Sequence, residues 1–93
     1  LLAGSVQKQV SDVRVSAAGC PGDMVRLYID DHLTAALTAG GSVHLALEAG
    51  QRLSADGEQL TDMLALSLTV EGRSLPEAVQ IMPGTWQDLV WEL

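Results

Sequence analysis

Twelve acidic side chains against five basic ones give this 93-residue chain a formal charge of −7, and Lys8, Arg14, Arg26, Arg52 and Arg73 are scattered singly. That argues against nucleic acid, which needs a basic stripe to displace counterions, and against adhesion to an anionic bilayer surface. The length suits one domain burying roughly 60–65% of its unfolded surface, and no apolar run approaches the ~20 residues that cross a membrane. Apolar residues make up 47%, yet Phe is absent, so the core must come from Leu, Val, Ala and Ile, with aromatic volume only in Tyr28, Trp86 and Trp91.

Residues 1–9 are expected to form an N-terminal tail, and 10–93 a single β domain. Val13 and Val15 flank an outward Arg14, which predicts a first strand from about Val10 to Ser16. Ala17 to Asp23 reads as a loop, stiffened by Pro21 and loosened by Gly19 and Gly22. From Met24 to Glu48 the apolar residues recur every second position: Val25, Leu27 and Ile29, then Leu33, Ala35 and Leu37, then Val43, Leu45 and Leu47. A pleated strand buries one face at that period, so three consecutive antiparallel strands are predicted, a meander turning at Asp30-Asp31 and at Ala39-Gly40-Gly41. Gln51 to Ala55 would add a short edge strand, and Asp56-Gly57 a tight turn. Leu64 to Glu71 alternates again, with Leu64, Leu66, Leu68 and Val70 on one side. Ser74 to Met82 is open between two readings. Ser74 can cap a helix whose first turn holds Pro76 and Glu77, or Ala78 to Ile81 can run extended. Trp86 to Leu93 reads as a final strand with Leu89, Trp91 and Leu93 on one face.

The fold class expected is therefore all-β: a small antiparallel sandwich or partly open barrel of about seven strands with at most one short helix.

Few residue sets carry chemistry. Asp30, Asp31 and His32 stand in a row with His44 beyond the next turn, but a metal site needs ligands from converging elements and a second shell, so no metal is expected. Ser42 lacks the spacing of a nucleophile elbow, and Asp56, Glu58, Asp30 and Asp31 lie in turns where solvent keeps carboxylates ordinary, so neither catalytic residues nor cofactor is expected. Cys20, the only cysteine, has no intrachain partner and stands between Gly19 and Pro21, where a small half-buried residue is the plain reading. Partner-binding candidates are apolar: Trp86 and Trp91, because Trp is enriched at interface hot spots, with core packing as the other reading. Unpaired strand edges offer a second mode of binding.

Leu2-Ala3-Gly4 resembles the lipobox of bacterial lipoproteins, Leu-(Ala/Ser)-(Gly/Ala)-Cys, with Ser5 where the acylated Cys belongs. A plain tail or a vector remnant is the other reading. The resemblance implies lipidation at position 5, and Val6, in place of the Asp that favours inner-membrane retention, implies the periplasmic face of the outer membrane, reached through an N-terminal lipid only.

With its small size and β alternation, the chain is also similar to secretin pilotins, notably the short β-rich lipoproteins of type III secretion systems. That implies a protein partner, a secretin subunit, and no enzyme activity. Leu27-Tyr28-Ile29-Asp30, the Ala39-Gly40-Gly41 break and Leu47-Glu48-Ala49-Gly50-Gln51-Arg52-Leu53 look like envelope β-domains of the PEGA type, with Asp31 in place of Gly and Ala49 in place of Pro. The rival expectation is a ligand- or carbohydrate-binding sandwich module of a larger periplasmic or surface protein.

Overall fold

A computed structural model describes residues 10–89, in which nine strands and no helix form two antiparallel sheets packed face to face. The strands are β1 Val10–Ala18, β2 Met24–Ile29, β3 His32–Thr38, β4 Ser42–Glu48, β5 Leu53–Asp56, β6 Leu64–Val70, β7 Arg73–Ser74, β8 Val79–Ile81 and β9 Trp86–Leu89. One sheet has the order β4-β1-β6-β7, with β8 also pairing β6; the other runs β3-β2-β5-β9. The result is a sandwich and not a closed barrel. The count exceeds seven because β7 and β8 share one side of β6, Ser74 opposite Thr69 and Ile81 opposite Leu64.

Period-two patterning places the core. In β6 the residues Leu64, Leu66, Leu68 and Val70 are buried, while the intervening Ser67 is exposed. Val13 and Val15 of β1, Val25 and Leu27 of β2, Leu47 of β4, Leu53 of β5 and Ile81 of β8 meet them from both sheets, all without solvent exposure. Burial of each such side chain contributes about 1.5–3 kcal/mol. Both two-residue hairpins use backbone that suits the strand twist, with positive φ at Asp30 (49°) and Asp31 (67°), and at Glu71 (51°) and Gly72 (80°).

Several expectations change. β2, β3 and β4 are not a meander: β3 pairs β2, whereas β4 pairs β1 in the opposite sheet. The Ala39-Gly40-Gly41 turn carries the chain across the sandwich, held by Gly40 N donating to the Ala17 carbonyl and Ala17 N donating to the Gly41 carbonyl. This lets Leu37 and Leu45 cover the core from opposite sides, which a hairpin in one sheet would not do.

The strand foreseen at Gln51 to Ala55 is not an edge. β5 lies between β2 and β9, and Leu53, Ser54 and Ala55 are all buried. The open choice at Ser74 to Met82 resolves to strand at Val79–Ile81, with the preceding Leu75 tied by its N–H to the Leu68 carbonyl. β1 runs on to Ala18, shortening the predicted loop. The last strand is described as far as Leu89; Trp91 and Leu93 lie outside the described residues.

Candidate functional site

The two outward faces of the sandwich differ in chemistry. Across β4-β1-β6-β7 the outward rows read His44, Arg14, Thr69 and Ser74, then Ser42, Ser16 and Ser67. These are small polar or charged residues, several of them paired: Arg14 Nη2 donates to Ser42 Oγ at 3.5 Å, the Thr69 and Ser74 hydroxyls lie 3.4 Å apart, and His44 Nδ1 lies 3.5 Å from Asp12 Oδ1. Toward its end the same face also carries the exposed Val10 and Ala46.

Across β3-β2-β5-β9 the rows read Leu33, Tyr28, Ser54 and Asp88, then Ala36, Arg26, Asp56 and Trp86. Tyr28 and Trp86 reach toward one another over β5, ring centroids 4.6 Å apart and planes at 40°. Trp86 stays 48% exposed and Leu33 62%. An apolar patch on the outside of a sheet contributes little to folding and is the surface expected of a binding site.

Leu33 was grouped with Ala35 and Leu37 on the inward side by strict alternation. A β-bulge moves it outward. Leu27 is opposite Ala35 while Tyr28 is opposite Leu33, so Thr34 is the extra residue and Leu33 joins the face of Tyr28. Sequence patterning missed it because one inserted residue reverses every side chain beyond it.

Polar groups frame the patch. Ser54, fully buried, donates its hydroxyl to Asp88 Oδ1 at 2.9 Å. Arg52 ties the Asp30-Asp31 turn to this row: Nη2 donates to Asp31 Oδ1 at 2.6 Å, Nε lies 3.8 Å from Asp88, and the Arg52 N–H donates to Asp30 Oδ1 at 2.8 Å. The hydrogen bond that Arg52 donates to Asp31, then the charges of Asp31 and Asp88, raise the Arg52 pKa above its ordinary value and hold the guanidinium charged. Arg26 differs. It is half-buried and makes no hydrogen bond or ion pair with any described residue. Asp56 stands opposite it on β5, but Asp56 Oδ1 accepts the Glu58 N–H at 2.9 Å.

The remaining candidates fall apart spatially. Asp30, Asp31 and His32 sit at the β2–β3 turn, whereas His44 is on the other sheet beside Asp12. Among the described residues no three His, Cys, Asp or Glu side chains gather as a metal site would require. Cys20 is an exposed free thiol, where a half-buried one was expected. Ser5 and Trp91 lie outside the described residues. An open depression of about 720 Å³ borders residues 75–80 and Gln87, away from Tyr28 and Arg26. No described helix is long and apolar enough to cross a membrane.

Comparison of the chain with protein-family models, with curated proteins and with solved structures gives no match.

Proposed function

We propose that this chain is a non-enzymatic holding module: an outer-membrane lipoprotein that acts as a pilotin, an assembly factor for a secretion-system secretin subunit. One observation carries the holding role, the exposed apolar cluster of Tyr28, Trp86 and Leu33 on one sheet, set against an opposite sheet whose central outward rows are polar. The absence of catalysis is supported by the tasks its carboxylates already perform: Asp23 bonds to Thr61, Asp31 to Arg52, and Asp56 to the backbone of Glu58.

The membrane address rests on Leu2-Ala3-Gly4 ahead of position 5. Four residues lie between that position and Val10, five steps of chain that reach at most about 18 Å. An acyl chain there contributes on the order of 0.8 kcal/mol per buried CH₂.

Deleting the gene tests the role, with secretin multimers expected to leave the outer membrane or dissociate. Unchanged multimers overturn it. The native codon at position 5 tests the anchor, Cys being the expected residue. Trp86→Ala separates surface from core, because loss of the aromatic contact should cost the fold only about 0.5–1.5 kcal/mol. Urea denaturation measures that loss, and secretin capture by the variant should fall at least tenfold.

The second reading, a carbohydrate-binding module, draws on Trp86 standing beside the hydrogen-bonding groups of Asp88 and Arg52. A glycan that quenches Trp86 fluorescence in the native chain, with secretin assembly untouched by gene deletion, would establish it in place of the first.

A further inference from the structure

Backbone geometry at β3 identifies which groups remain open. Ala39 N donates to the Asp23 carbonyl, while the Thr38 carbonyl accepts Gly41 N and so points away from β2. Antiparallel pairs alternate between bonded and non-bonded, so Leu37 and Ala35 bond to β2, and the N–H and C=O of Ala36 project from the free edge of the sheet. Among the described residues β3 is the outermost strand on this side, and His32–Thr38 holds no Asp, Glu, Lys, Arg or Pro, the residues that normally guard such an edge.

The edge and the Arg26 side chain lie together. Arg26 is directly opposite Ala36, whose methyl group leaves the space above β3 open. A strand added beyond β3 would lie two strand spacings from β2, roughly 10 Å. A guanidinium and a carboxylate side chain reaching toward each other span that gap. In the same added strand, a side chain two positions away falls beside Leu33 and Tyr28.

We propose that the free edge of β3 receives an extended, antiparallel segment of a partner protein, whose carboxylate opposite Ala36 pairs with Arg26 and whose neighbouring outward apolar side chain covers Leu33 and Tyr28. The inference deepens the holding role and rests on it, naming the chemistry of the segment held.

Two other arrangements fit less well. A second copy pairing β3 to β3 about Ala36 would set Ala36 against itself, bring the two Arg26 side chains toward each other and offer neither a carboxylate. The opposite sheet also ends in an open strand, β4, but its outward side chains Ser42 and His44 already face Arg14 and Asp12, and Glu48 N is capped by the Gln51 side-chain oxygen at 2.8 Å.

The test uses the intact chain and a capped synthetic peptide, Thr-Val-Thr-Glu-Thr-Val-Thr, which presents Val, Glu and Val on one face. Titration followed by amide chemical shifts should saturate, with the largest changes at Leu33, Ala36 and Thr38. Replacing the peptide Glu by Gln, or Arg26→Gln in the protein, should weaken binding about fivefold. N-methylation of the peptide Val and Glu amides, which face β3, should abolish binding, and N-methylation of the Thr amides should not. Ala36→Pro should abolish it as well, since the N–H removed is not one that β2 uses. The methylated peptides give the same answer without altering the protein, should that variant not fold.

Equal affinity for the Glu and Gln peptides, tolerance of methylated Val and Glu amides, shifts confined to β4, concentration-dependent dimerisation through β3, or no saturation at roughly 1 mM peptide would each overturn the proposal. Failure here with secretin multimers still dependent on the chain removes only the edge. Peptide binding intact with secretin unaffected by gene deletion removes the assembly role.

Discussion

Asp23 is a 5%-exposed carboxylate that joins three stretches of chain. Its Oδ1 accepts the Thr61 hydroxyl at 2.8 Å, and its Oδ2 accepts the N–H groups of Thr61 at 3.1 Å and Asp62 at 3.3 Å. Its own backbone bonds to Cys20 and Ala39. The Thr61 hydroxyl lowers the Asp23 pKa most, burial opposes it, and the two backbone donors lower it further. A carboxylate depressed on folding stabilises above its unfolded pKa of about 3.9, and that stabilisation is lost as pH falls through the lower folded value. Thermal melts from pH 7 to pH 2 should therefore show a decline beginning near pH 4, and Asp23→Ala should flatten it. At pH 7 the same variant should melt about 5–10 °C lower, with Asp23→Asn in between because an amide oxygen still accepts one of the donors. Gly57 is fixed for a different reason. A Cβ there would stand 2.7 Å from the Met82 carbonyl oxygen and 2.8 Å from Ile81 Cγ2, so Gly57→Ala should cost about 1–3 kcal/mol by overpacking, measured by urea denaturation. Sequence alone places Asp23 at the end of a loop and Gly57 in a tight turn, because Asp and Gly in loops ordinarily signal turns and solvent.

At the level of single strands, β6 was the most legible, since its buried face follows one uninterrupted alternation. It pairs β1 along one side and β7 and β8 along the other, so a cavity at its centre cannot close by moving an edge. Leu66→Ala should accordingly cost about 2–5 kcal/mol, read from the shift in denaturation midpoint at unchanged slope. β3 was the least legible. Its period of two continues into β4, and nothing in that period tells a hairpin from a chain that crosses to the facing sheet. The bulge at Thr34 is likewise silent in the sequence. Trp86 could be named as a candidate from residue type alone, whereas Arg26 and Leu33 enter the site only through register.

For the molecule as a whole, composition was a good guide to class: a Phe-free chain that alternates Leu and Val can bury them only between extended layers. Connectivity was not, because two described hairpins stay within a sheet while most other links cross. Its twelve acids and five bases predict a salt response of definite sign. Raising ionic strength from 0.01 to 0.15 M shortens the screening length from about 30 to about 8 Å, and scanning calorimetry should show the midpoint rising by about 2–5 °C as self-repulsion fades.

Val10 lies opposite Glu48, and Leu89 opposite Leu53, where β4 hands over to β5, so both ends of the described span lie at one pole of the sandwich. A pull applied through those ends loads the strands crosswise, and the hydrogen bonds then give way one after another instead of together. β1 is gripped on two sides by β4 and β6, β9 on one side by β5. Tension should therefore peel β9 away first, parting Trp86 from Tyr28 while the other sheet stays closed, and a tethered molecule of this design would feel a mechanical load as the loss of its aromatic face.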